Sequence, residues 1–438
     1  MNKKESANTT RQSCPEQDDD VLEEPRVSIR ACLYFDGTGN NRTNVDLGLE
    51  GSPAGLKVDK GSYQSDHSNV SKLEKVWLSA DGVDHDFSLY VEGIGTTNGE
   101  LDDLVGGGLG KGPTGVVSKV ESGIKGMIDQ IVPLVPNKKI SHIYLDSCGF
   151  SRGAAAARYY VYAIMKKSGE TLLDQLKGKG FDVNSVKFKF VGLFDTVASI
   201  GMNHDTDTKK LHLDNLGITE RVVQLSAAEE HRKNFRLTGI ESAKNGLEVF
   251  LPGVHSDIGG SYNKTEDEKD LQILDIDRFW GLSDDDKKAF TRERDWLLDS
   301  GWYKEKEIEE LNFFNELKVN RKGIKNEYSF IPLAMMADYA KEYGVHYSRT
   351  LAVKYKVPTE LKAFQAYLKS YAQGATKPSD WHLDIDNRKN WDKHNKNVKD
   401  IRNKYFHFSS YYGSVGMGPQ WTGDDPIKGK RKRKIQTG

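Results

Sequence analysis

The stretch CGFSRGAAAARYY, Cys148 to Tyr160, decides how this chain is read. It sets Gly149, Ser151 and Gly153 in a G-x-S-x-G arrangement, preceded by the apolar run ISHIYLD and followed by the helix-forming run Ala154 to Ala157. That order predicts a strand, a sharp turn and a helix. A serine lifted above a sheet on such a turn needs glycine two residues away on either side, because the backbone leaves no room there for side chains. The helix N-terminus behind it favours a developing negative charge. The alternative is a turn of small residues that only packs. The flanking strand and helix favour a nucleophile at Ser151.

Other apolar runs end in comparable turns. VSIRACLYFDGTGN and HDFSLYVEGIGT run into glycine turns, and SVKFKFVGLFDTVAS and GLEVFLPGVHSDIGGSY run into polar ones. Together with the run before Ser151 these are five strands with helical patterns between them. They predict an α/β layer fold with a mostly parallel sheet whose functional residues gather on one edge. Residues 1–26 read as a flexible polar arm and 27–264 as the catalytic core. Residues 265–407, charged and rich in aromatic residues, read as a helical cap or insertion. Residues 408–438 end in the polybasic KGKRKRKIQTG, for which a solvated end is expected.

A serine hydroxyl needs a base in hydrogen-bond reach and a third group to orient that base. Asp195, in GLFDTVAS, and His255, in LPGVHSDIGG, follow Ser151 along the chain, each at the end of an expected strand. Taken singly, Asp195 could be a cap and His255 could bond within its own glycine turn. Taken with the turn at Ser151, and in this order, they form a candidate triad. Glu248 and Asp257 are rival acids and His407 is the rival base; His231 and His346 read as surface or helix-packing histidines and His142 as structural. For the oxyanion, the N–H of Arg152 is one donor, and an N–H at Gly37 or Thr38 in the DGTGN loop is the second. Asp36 is expected to hold that loop through neighbouring amides. A cation shared between Asp36 and Asp257 is the less favoured alternative. The glycine-rich GGGLGKGPTG, Gly106 to Gly115, fits no phosphate motif because Gly112, not Ser or Thr, follows Lys111. It reads as a mobile loop near the site mouth.

Composition excludes several classes. With 63 basic and 64 acidic residues the net charge is -1, which gives no overall footprint for nucleic acid. Cys14, Cys32 and Cys148 are an odd number without metal spacing and read as thiols. Neither a signal-peptide core nor a run approaching the roughly 20 apolar residues of a membrane span is visible. Synthesis in the cytoplasm without a signal peptide is therefore expected.

YFDGTGNN, YVEGIGT, GFSRGAAAAR, GLFDTVAS, AAEEHRKNFR and PGVHSDIGGSY, in this order, resemble the bacterial GFSRGA family of α/β-hydrolase-like proteins. Its best-understood members are phospholipase effectors of type VI secretion systems. The resemblance covers roughly residues 28–262. It implies an α/β-hydrolase-like fold and an antibacterial serine phospholipase of A1/A2 type, with Ser151 as nucleophile, Asp195 as acid and His255 as base. It also implies a membrane phospholipid substrate, a secretion spike protein and a cognate immunity protein as partners, and delivery into the target-cell periplasm. The chemistry requires no metal or organic cofactor. Two alternatives stand beside it: a soluble-substrate esterase or thioesterase with the same triad, and a noncatalytic binding protein on the same fold. An interfacial enzyme also needs an apolar mouth under a movable cap, which the aromatic-rich helices after Thr265 could supply; the alternative is that they form an ordinary amphipathic helical subdomain. Cys148 departs from the larger apolar residue usual before the family's turn.

Overall fold

The computed structural model describes residues 25–50, 61–103, 112–166, 170–198, 208–276, 282–309, 316–373 and 398–438. The flexible arm expected at the N-terminus, Cys14 with it, and most of the expected mobile glycine loop lie outside these residues. Six parallel strands form the central sheet: β1 Val27–Phe35, β3 His85–Val91, β4 Lys139–Phe150, β5 Asp182–Phe194, β6 Arg221–Ala227 and β8 Gly246–Leu251. Their spatial order is β3-β1-β4-β5-β6-β8. The five expected strands are all present. The sixth, β6, was not expected, because Gln224 and Ser226 interrupt its apolar run; Gln224 is fully buried and bonded to Glu248 on β8.

Alternation along β1 sorts the layers. Ile29, Ala31, Leu33 and Phe35 pack with the helices Val116–Leu134 and Arg152–Met165. Cys32 and Tyr34 pack on the opposite face, with Cys148, Phe150 and the chain beyond residue 270. Cys148 is thus a small buried residue where the sheet meets this second layer, and burial pushes its thiol pKa up.

The second layer is not purely helical. It contains an antiparallel pair, β9 Thr265–Asp275 with β10 Glu316–Lys325, and the short strand β11 Val345–Tyr347, which pairs with β2 Trp77–Ala80. Charged residues alternating with apolar ones in β9 and β10 resemble a helix face in composition, but their period is that of an edge strand. An aromatic cluster of Trp302, Tyr303, Tyr328, Phe364, Phe406 and Phe408 joins the layer to the sheet. The aromatic richness therefore belongs to core packing.

Strand registers align the carboxyl ends. Phe35 lies opposite Val91 and Gly149, Phe150 opposite Phe194, Phe194 opposite Leu225, and Ala227 opposite Leu251. Consequently the loops carrying Asp36, Ser151, Asp195, Glu230 and His255 emerge from one edge, where a parallel sheet presents its functional groups.

Candidate active site

Ser151 follows β4 directly and adopts φ 58°, ψ -126°. A non-glycine residue in such a conformation is strained by about 1–3 kcal/mol and persists only where its surroundings over-determine it. Here its N–H donates to the Phe194 carbonyl at 3.0 Å, and its own carbonyl accepts from Val197 at 3.3 Å. The two glycines are sterically required: a Cβ on Gly149 would stand 2.3 Å from the Gly153 carbonyl oxygen, and one on Gly153 would stand 2.2 Å from that of Asp36. The turn is accordingly pressed between β5 and the DGTGN loop, with the helix Arg152–Met165 starting immediately after it.

Asp195 ends β5 and also has a positive φ, 48°. Its N–H bonds the Leu225 carbonyl at 2.8 Å, while the Ala227 N–H donates to its Oδ1 at 2.7 Å. His255 opens the short helix His255–Gly259 after β8, with Nδ1 2.5 Å from Asp195 Oδ2. The imidazole sits between the rings of Phe150 and Phe235, at 4.6 and 4.9 Å between centroids. The backbone N–H of His255 donates to Glu230 Oε2 at 3.2 Å. The elbow region and this loop interlock, since a Cβ on Gly259 would meet the Phe150 ring at 1.9 Å.

Burial lowers the pKa of His255 and outweighs the bond and charge of Asp195, which favour its protonated form. Burial alone would raise Asp195, but the charge of Arg433 and the bond from His255 hold its carboxyl below the ordinary range. The resting arrangement is therefore a neutral imidazole against an ionised carboxylate. Nε2 of His255 is buried without a hydrogen-bond partner among the described residues. Ser151 and His255 line the same cavity without being bonded to each other; such contacts often tighten only with substrate present.

That cavity has a volume of about 660 Å³. Loops of the sheet's carboxyl edge supply most of its wall, including Thr38, Ile94, Asp102, Arg152, Phe235 and Ser261. Among the described residues from the second layer onward, Val415 and Gly416 take part, and Val415 is fully exposed. Among the described residues, the helices after Thr265 bury their apolar faces in the core beside the sheet.

The loop after β1 meets its expectation in part. Asp36 Oδ1 accepts the Gly37 N–H at 2.8 Å and Oδ2 accepts the Tyr90 hydroxyl at 2.6 Å, so the carboxylate holds the loop. The Gly37 N–H is thereby engaged, which leaves Thr38 as the candidate donor on this turn. Arg152 Nε donates to Thr38 Oγ1 at 2.7 Å and ties the loop to the elbow. Burial lowers the Arg152 guanidinium to about 10, which leaves it cationic at neutral pH. Gly93 abuts the same loop; a Cβ there would lie 1.9 Å from the Gly37 carbonyl oxygen.

The rivals are placed elsewhere. Glu248 bonds Gln224 and Ser226. Asp257 Oδ2 accepts the Val254 N–H at 3.0 Å and Oδ1 lies 2.8 Å from His407 Nδ1. Asp257 thus shapes the His255 loop, and His407 is its partner. Among the described residues no group of three or more His, Cys, Asp or Glu is arranged to hold a metal ion.

The residue that sequence reasoning missed is Arg433. Its guanidinium meets both oxygens of Asp195, Nη1 to Oδ1 at 2.5 Å and Nη2 to Oδ2 at 2.8 Å. The expectation of a solvated tail is overturned: Arg431 and Arg433 are buried, Lys430 and Lys432 are exposed, and β12 Ile435–Gln436 pairs with β7 Leu237–Thr238. The alternation Arg-Lys-Arg-Lys was the available signal, since it has the period of an extended strand with one buried face.

Comparison with known proteins bears on this geometry. Residues 165–282 match the family model described as T6SS, phospholipase effector Tle1-like, catalytic domain. This stretch, well under half of the chain, is similar to that catalytic domain. The match takes in Asp195 and His255 and stops short of Ser151 and Arg433. The Tle1-like fold extends further: a solved structure of the Tle1 effector bound to the VgrG spike from the type 6 secretion system is 21% identical, with a TM-score of 0.63 and 99% of both chains covered. An uncharacterized protein from Pseudomonas aeruginosa, 19% identical over 78% of this chain and 51% of its own, has a TM-score of 0.43, too low to bear on the fold. No curated protein matches the chain. Among the described residues, no helix is long and apolar enough to cross a membrane.

Proposed function

We propose that the protein is a serine phospholipase of A1/A2 type that cleaves acyl esters of membrane glycerophospholipids. The observation that carries this reading is the strained Ser151 on the wall of a cavity that also exposes His255, with Asp195 behind the imidazole. The match to the Tle1-like catalytic domain supports a lipid ester as the substrate class.

In the reaction Ser151 Oγ attacks the ester carbonyl carbon as His255 Nε2 takes its proton. Asp195 holds the Nδ1 proton and stabilises the imidazolium. The backbone N–H groups of Arg152 and Thr38 receive the oxyanion, while the Ser151 N–H is already committed to Phe194. Collapse breaks the bond to the leaving alkoxide, which takes the proton from Nε2. Water, activated by the same imidazole, then releases the fatty acid and restores Ser151.

The biological setting rests on the family resemblance and the solved effector–spike complex. A secretion spike protein carries this effector, a cognate immunity protein neutralises it, and the target-cell periplasm is where it acts on a rival bacterium. The test is release of free fatty acid and lysolipid from phospholipid vesicles carrying distinct sn-1 and sn-2 labels, with Ser151→Ala as control. Hydrolysis lost with Ser151 supports the reading. Activity confined to soluble esters, or retained by folded Ser151→Ala, overturns it.

A further inference from the structure

The carboxylate of Asp195 makes four bonds. Oδ1 accepts from the Ala227 N–H and from Arg433 Nη1, while Oδ2 faces both His255 Nδ1 and Arg433 Nη2. The Arg433 side chain has 0% exposure, as does that of Asp195. It is itself fixed by the Ala227 carbonyl at 2.6 Å and the Phe235 carbonyl at 3.3 Å. The strand that brings it is anchored on either side: the Leu237 N–H donates to the Lys434 carbonyl at 2.9 Å, and Arg431 bonds Glu293 and the Ile273 carbonyl.

We propose that Arg433 is a positioning residue of the hydrolytic site: its fork fixes the plane of the Asp195 carboxylate toward His255 and balances the charge of the pair. This rests on the reading of Ser151, His255 and Asp195 given above. A planar guanidinium matches both carboxylate oxygens at once, which an ammonium cannot do. Without the fork, the carboxylate keeps one contact on each oxygen, the Ala227 N–H on Oδ1 and the His255 imidazole on Oδ2, so its plane can turn together with the imidazole it should hold. Displacement of a catalytic group by about 1 Å can cost about 10²-fold in rate.

Charge gives a second, separable consequence. The groups facing His255 are Asp195 at the end of β5, Glu230 and Arg232 after β6, and the rings of Phe150 and Phe235; Arg433 acts from behind Asp195. Glu230 is itself forked by Arg232, at 2.9 and 2.8 Å. The Arg433 cation opposes protonation of the imidazole at rest, so its removal favours the imidazolium. The acid limb of kcat/KM must then move to higher pH.

The experiment compares Arg433→Met, Arg433→Lys, Asp195→Asn and the double variant Asp195→Asn/Arg433→Met, each checked for folding, in hydrolysis of phospholipid vesicles. Arg433→Met should lower kcat by about 10²-fold with KM nearly unchanged, and shift the acid limb upward. Arg433→Lys keeps the charge without the fork, so its acid limb stays near that of the native protein while kcat falls. In the Asp195→Asn background, loss of Arg433 should cost no further activity, and the double variant leaves no lone buried charge to prevent folding. Native kcat and pH profile in folded Arg433→Met or Arg433→Lys, or an equal added loss in the Asp195→Asn background, would overturn the proposal. Retained activity in Ser151→Ala would instead overturn the underlying reading.

Discussion

Two histidine–aspartate pairs meet at the short helix after β8, and their difference underlies the proposal that one is a working dyad and the other structural. His255 and Asp257 are two residues apart, yet His255 turns to Asp195 and Asp257 turns to His407. Both histidines are buried, both present Nδ1 to a carboxylate, and neither Nε2 has a hydrogen-bond partner among the described residues. What differs is the surroundings. His255 lines the cavity with Ser151, whereas Tyr262 stacks on His407 at 3.6 Å between centroids. Asp195 has an arginine fork behind it and is held low in pKa. Burial raises the pKa of Asp257, against the bond from His407. On the proposed mechanism, a pair is made catalytic by what its outer nitrogen faces and what charge stands behind its carboxylate.

The largest effect should come from the serine itself. Ser151→Ala is expected to lower phospholipid turnover by about 10⁶-fold, while His407→Ala, on the second pair, leaves it within about 10-fold. Replacing the two acids draws the same contrast at smaller scale: Asp195→Asn should cost about 10⁴-fold in kcat, and Asp257→Asn far less. Steady-state assays on vesicles measure both. Inverting the order would make His407 the base.

The turn at Ser151 and the proposed partners Asp195 and His255 were legible because each stands at the end of an apolar strand and breaks it with residues that only a special turn or a reaction explains. Gly149 and Gly153 illustrate this, since backbone lies within 2.3 Å of any Cβ they could carry. Arg433 was hidden because charge composition reports a run of cations without saying which face they present. Likewise β6 carries Gln224 where an apolar residue is expected, and its partner Glu248 lies on another strand. Long-range pairing of polar side chains leaves no periodic trace in a single segment.

A third prediction concerns pH. The His255 pKa lies below the ordinary 6.5. A lowered value keeps the imidazole neutral, and so able to accept a proton, down to more acidic solution. The acid limb of kcat/KM should therefore have its midpoint below 6.5, and a midpoint above it would contradict the arrangement. The smallest effect is on stability. His407→Ala leaves Asp257 buried without its side-chain partner and should lower the unfolding free energy by about 1–3 kcal/mol, read from denaturant titration.

The central claim is that His255, and not its neighbour His407, activates Ser151. Reaction with a fluorophosphonate probe, quantified by mass spectrometry of the peptide carrying Ser151, tests it most directly. Native protein and His407→Ala should label at Ser151 at similar rates, and His255→Ala should label far more slowly. Rapid labelling of His255→Ala together with loss of labelling in folded His407→Ala would contradict it.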